Sequence, residues 1–161
     1  QVDDGQFVIT SKNISVGELW GFTANTIEDF YLEITGTFGD TCAGRDRYGL
    51  IFRAPNYDEG YLFTIACDGN YNLRIWDSDA GEYNTLKGWT SSDVIDSGSG
   101  GTNRLGVMAE GSLITGYING KKLFELNDAT FSGDQFGVLI ASPNTAGFTV
   151  SLSQLVYWNL P

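Results

Sequence analysis

A chain of 161 residues with 21 glycines, 14% aromatic residues and a formal charge of −11 has room for one domain around one core, and residues 1–161 are read as that single domain. An acidic surface of this kind repels phosphate backbones and anionic bilayers, and no apolar run approaches the roughly 18 residues of a spanning helix, so nucleic acid and membrane insertion are excluded. The chain contains no histidine, which removes the commonest general base, the commonest zinc ligand and every Ser-His or Cys-His nucleophile.

Period-two alternation predicts strands throughout and no significant helix. In the first part of the chain they fall near Phe7–Ile9, Leu19–Phe22 and Phe30–Phe38. Asn13-Ile14-Ser15 fits the acceptor pattern for N-glycosylation. The start at Gln1, without Met or a basic-then-apolar leader, suits a mature secreted product.

Three antiparallel strands follow, near Tyr48–Ala54, Tyr61–Cys67 and Tyr71–Trp76. Tyr48, Leu50, Phe52, Phe63, Ile65, Leu73 and Ile75 fall on the parity that faces a core. The opposite parity carries Gly49, Ile51 and Arg53, then Leu62, Thr64 and Ala66, then Asn72, Arg74 and Trp76. If Asp68–Asn70 closes a three-residue hairpin, Thr64 faces Arg74 and Ala66 faces Asn72, so short side chains flank long polar ones and leave a trough. Arg53, Arg74, Trp76, Asn72 and Thr64 are the candidate ligand-binding residues: sugar C–H faces pack on aromatic planes while hydroxyls take Arg and Asn partners. The alternative is structural cover, with Arg stacked on Trp over a sheet. Tyr57, Tyr71, Tyr83 and Trp89 stand in or beside loops at the ends of this unit, and Trp20 and Trp158 read as core or edge cover on terminal strands.

Cys42 and Cys67 are the only cysteines and flank two of these strands, so a disulfide and an oxidising, extracellular compartment are expected. Such a bridge draws Asp40 and Asp68 together with Asp46 in the intervening loop, which makes these three the candidate oxygen ligands for Ca²⁺. The other acidic clusters, Asp58-Glu59, Asp77-Ser78-Asp79 and Asp93 to Asp96, sit at turns, where Asp caps backbone N–H groups.

The second half adds strands near Leu86–Trp89, Asn103–Glu110, Leu113–Ile118, Lys122–Leu126, Phe136–Ala141 and Phe148–Tyr157, with Asn119-Gly120 as a type I′ turn. The run 103–158 carries an N-x-L-x-V strand, a Y-x-N-G turn and a D-x-x-F-x-G link: Asn103, Leu105, Val107, Tyr117, Asn119, Gly120, Asp128, Phe131, Gly133 and Gly137. In these places it resembles the C-terminal half of concanavalin A-like, laminin-G-like jelly rolls. That resemblance implies an all-β, two-sheet antiparallel β-sandwich of a kind that binds glycans, serves in adhesion or hydrolyses glycosides. Jelly-roll glucanases carry Glu-x-Asp-x-(x)-Glu with acid and nucleophile about 5 Å apart, and this chain has no such string. A secreted, non-catalytic carbohydrate-binding or adhesion module is therefore expected, with a glycan as partner. The alternatives are a structural subunit that assembles with copies of itself through strand edges and a segment such as Gln1–Thr10, and a glycoside hydrolase or lyase.

Overall fold

Along Phe30–Phe38 every second side chain is buried, and the same rhythm recurs through a chain in which no helix occurs among the described residues. In this computed structural model residues 2–3 and 5–161 are described, and Gln1 and Asp4 of the expected self-association segment lie outside them. The strands are β1 (Val2–Asp3), β2 (Gln6–Ser11), β3 (Ser15–Thr26), β4 (Phe30–Phe38), β5 (Arg47–Ala54), β6 (Gly60–Ala66) and β7 (Asn70–Asp77). They continue with β8 (Glu82–Ser91), β9 (Thr102–Glu110), β10 (Leu113–Ile118), β11 (Lys121–Asn127), β12 (Gln135–Ser142) and β13 (Phe148–Asn159).

Two antiparallel sheets pack face to face, one ordered β1-β2-β13-β4-β9-β10-β11 and the other β3-β12-β5-β6-β7-β8. Between them lie Leu32, Ile34, Leu105 and Val107 of the first sheet and Tyr48, Leu50, Phe63 and Leu73 of the second, all without meaningful exposure. Large aromatic side chains crowd this layer, with Phe52 stacked on Tyr61 at 5.4 Å and Phe63 edge-on to Phe124 at 5.1 Å.

The turn chemistry explains the motif of the second half. Asn119 and Gly120 both take positive φ, 51° and 81°, and close β10 on β11 as a type I′ turn. The Asn119 side chain accepts from the Arg104 amide at 2.8 Å and donates to the buried Asn103 side chain at 2.9 Å, which ties the turn to β9. At Gly137 a Cβ would lie 2.0 Å from the Gly21 carbonyl oxygen, so β12 passes β3 only as glycine.

The hairpin joining β6 to β7 corrects one expectation. Its three-residue loop is 67–69, with Gly69 at φ 79° and its N–H donating to the Ala66 carbonyl, so Thr64 pairs with Asn72 and Leu62 with Arg74. Glycine takes the left-handed position at the end of the loop more readily than Asn70 would. The shift is by two residues along β7, so the same side chains still share a face.

Cys42 and Cys67 are bonded, with Cα atoms 5.6 Å apart across a separation of 25 residues. In the chain-entropy picture a loop of this size contributes roughly 3 kcal/mol. Replacing both cysteines with serine is expected to lower unfolding stability by about that amount in urea titrations, and alkylation of the native protein is expected to find no free thiol.

Candidate functional site

The face of the six-stranded sheet turned away from the core starts with the small residues that the alternation places there. Gly49 pairs with Thr64 and Thr64 with Asn72; one row along, Ile51 pairs with Leu62 and Leu62 with Arg74. Thr64 donates to the Asn72 side chain at 2.5 Å, and both are fully buried. Something therefore covers them.

The cover is Glu18, from the far edge strand β3. Its Oε1 accepts from Arg47 Nε at 2.9 Å, from Arg47 Nη2 at 2.6 Å and from Arg74 Nη2, and its Oε2 accepts from the Tyr83 hydroxyl at 2.7 Å. Glu18 stands on β3 and Tyr83 on β8, the two opposite edges of the sheet. A flat six-stranded sheet would hold those strands roughly 24 Å apart at about 4.8 Å per gap, beyond the combined reach of the two side chains. The sheet must therefore curl around this face, which is concave.

The Glu18 side chain has no exposure, against 7% for Arg47 and 14% for Arg74. Burial pushes its carboxyl up, but Arg74, Arg47 and the Tyr83 hydrogen bond together outweigh burial and hold it below the usual glutamate range. Burial, and then the Glu18 acceptor, push the Tyr83 phenol up to about 12. One carboxylate between two guanidinium groups leaves a local excess of one positive charge in a chain of −11. Arg74 Nε is buried without a hydrogen-bond partner.

Aromatic rings rim this polar floor. Trp76 lies 4.6 Å from Tyr83, Arg74 sits 4.7 Å over the Tyr83 ring, and Arg45 and Arg47 lie 4.3 and 5.9 Å from the Trp89 ring. Trp20 and Phe22 of β3 pack with Trp76 on Ile51, Leu62 and Leu139, and the Trp20 indole donates to the Tyr57 carbonyl at 2.9 Å. Tyr71, by contrast, faces the core and reaches towards the Leu123 carbonyl.

Of the five candidate residues, Thr64, Asn72, Arg74 and Trp76 come together on this face and Arg53 does not. Arg53 takes φ 52°, beside an irregularity in the pairing of β5 with β12, and this breaks the alternation. Its guanidinium turns to Asp29 at 2.8 Å and the Gly111 carbonyl at 3.1 Å, over Phe30 of the other sheet. Glu18 and Arg47, which sequence reading passed over, take its place. Both sat one residue outside the strand limits drawn from the sequence, yet Glu18 shares parity with Trp20 and Phe22, and Arg47 with Gly49 and Ile51.

The three aspartates proposed for Ca²⁺ do not gather. Asp46 is buried and accepts backbone N–H groups of Ala43, Asn144 and Thr145 at 2.8 to 3.2 Å, Asp68 pairs with Arg45 at 3.1 Å, and Asp40 is exposed. Among the described residues no group of three His, Cys, Asp or Glu side chains is placed to hold a metal.

No protein-family model matches the sequence, and no curated protein matches it either. Solved structures do. The carbohydrate-binding module CBM66 from Bacillus subtilis superposes with a TM-score of 0.70 over 93% of this chain and 94% of that one, at 18% identity. Sheep galectin-11, in complex with glycerol, follows at 0.56 over 88% and 96%, at 9% identity, and the alginate lyase A1-II′ at 0.63 over 96% and 79%, also at 9%. The fold is a concanavalin A-like jelly roll. At these identities the likeness establishes architecture, and it spans binders and a lyase alike.

Proposed function

We propose that the protein is a secreted, non-catalytic carbohydrate-binding module whose ligand lies on the concave face of the six-stranded sheet, over Arg47 and Arg74 and against Trp76 and Tyr83. The observation that carries this reading is the Glu18–Arg47–Arg74–Tyr83 network, a preorganised polar floor ringed by aromatic side chains. A sugar presents both an apolar C–H face and a fringe of hydroxyls, and this face offers a counterpart to each. The two neighbours that are a carbohydrate-binding module and a galectin support the same reading, and the disulfide supports an extracellular setting.

Hydrolysis fits this face poorly. A general acid needs a raised pKa and a free proton, whereas Glu18 is held low and spends its oxygens on two arginines and a tyrosine.

The test is a glycan array of neutral and acidic oligosaccharides, read with the protein in EDTA and again in millimolar calcium. Binding of at least one glycan, unchanged by EDTA, is expected, because the one carboxylate of the floor, Glu18, is already taken by Arg47, Arg74 and Tyr83. No binding to any member would overturn the reading, and binding only with calcium would return the aspartate loops to consideration.

A further inference from the structure

The opposite face of the sandwich carries a second cluster of the same chemistry. On the outer side of the seven-stranded sheet, Tyr31 of β4 lies between Trp158 of β13 and Tyr117 of β10, with ring centroids 5.6 and 6.0 Å apart. Gly106 of β9 makes room for it: a Cβ there would lie 2.4 Å from the Tyr31 hydroxyl oxygen, so the ring lies down along the sheet. The Tyr31 hydroxyl donates to Glu33 Oε2 at 2.6 Å, and Arg104 Nε reaches the same oxygen at 3.3 Å. Burial and then the Glu33 acceptor push the Tyr31 phenol up, so its proton stays in that bond.

Expectation placed Trp158 in the core or as edge cover, yet it is 53% exposed. An apolar ring of this size is left in water beside a half-open ion pair, with the Arg104 side chain 51% exposed and Glu33 14%. Glu33 Oε1 accepts nothing among the described residues, and neither Arg104 Nη group is spent on the pair. The cluster thus combines a stacking plane, guanidinium donors and a carboxylate acceptor. The concave face provides the first two, but its carboxylate is consumed.

We propose that this face is a second glycan-contact site, with a sugar ring on Trp158 and its hydroxyls on Arg104 and Glu33, so that one chain can bridge two glycan strands from opposite sides of the sandwich. The proposal shares with the preceding section only the class of ligand; its residues and its face are separate. The exposed Trp158 ring and the half-open ion pair match the apolar C–H face and the hydroxyl fringe that a sugar presents together.

Native affinity gels and turbidity with four soluble polysaccharides, xylan, galactan, laminarin and alginate, test it on the parent, Trp158→Ala, Arg104→Ala, Trp76→Ala and the Trp76/Trp158 double variant. The parent should be retarded by at least one polymer and make it turbid by cross-linking. Trp158→Ala and Arg104→Ala should stay folded by circular dichroism and remain retarded. Each should lose apparent affinity about tenfold or more, because bivalency is gone, and give no turbidity; only the double variant should lose retardation altogether. Three results would overturn the second site. In one, Trp158→Ala behaves as the parent does. In another, Trp76→Ala alone abolishes retardation. In the third, the parent sediments as a dimer that Trp158→Ala converts to monomer, which would make the face a self-contact. A parent retarded by none of the four would overturn this site and, with a blank array, the concave one as well.

Discussion

Replacing Glu18 with alanine is expected to destabilise the protein by about 3–5 kcal/mol, because it strands two buried guanidinium groups without their counter-ion. For a domain of this length that corresponds to a fall of roughly 10 °C in Tm, which differential scanning calorimetry would read. The side chains concerned are almost wholly withdrawn from water, so solvent cannot take over the role of Glu18. A triple variant, Glu18→Leu with Arg47→Met and Arg74→Leu, removes the charges together and should recover much of the loss, since apolar replacement of a buried ion cluster is often neutral or better. It should nonetheless bind no glycan on the concave face, which separates the network's part in recognition from its part in folding. A triple variant that, in the Trp158→Ala background, still binds would make the network structural cover only.

The acid limb follows from the same group. Glu18 has a folded pKa below its unfolded value, so its stabilisation is fully present above about pH 4.3 and is lost as pH falls through the folded pKa. Glu18→Gln should flatten that limb. Tyr83 acts at the other end: with its pKa raised to about 12, its contribution is present below about pH 10 and fades as pH rises through the folded value.

Trp76→Ala is expected to weaken glycan binding roughly thirtyfold at the concave face, the loss of about 2 kcal/mol typical of a central aromatic anchor. Isothermal titration with the best array ligand would measure it. Trp76 is half-buried against Ile51, Leu62 and Leu139, so a stability cost of about 1–2 kcal/mol should accompany it. Trp76→Phe should keep most of the packing and part of the stacking. If binding is unchanged while Tm falls sharply, Trp76 is cover and the ligand lies elsewhere.

Local patterns were legible in the sequence where local physics decides them. Alternation placed the strands, Asn119-Gly120 fixed a turn by its φ angles, and two cysteines flanking paired strands had to meet. The candidate site was legible only in part, because its centre is non-local. Glu18 reaches across five strand intervals to Tyr83, a contact produced by sheet curvature that no pairwise register reveals. Arg53 misled for the opposite reason: a single left-handed residue reverses the face of one side chain, and arginine gives no signal of that conformation. Asp46 and Asp68 spend their oxygens on amides and on an arginine that lie close only in the folded chain, and the sequence gives no sign of most of those partners.

Two-dimensional NMR of ¹⁵N-labelled protein titrated with the array's best oligosaccharide shows whether the concave face holds the sugar. Saturable shifts are expected at the backbone amides of Asn72, Arg74, Trp76 and Tyr83, together with the Trp76 indole and the Arg47 and Arg74 Nε–H signals, in the parent and equally in Trp158→Ala. Saturable binding that leaves all of these resonances in place, with the shifts confined to other surfaces, would contradict that placement.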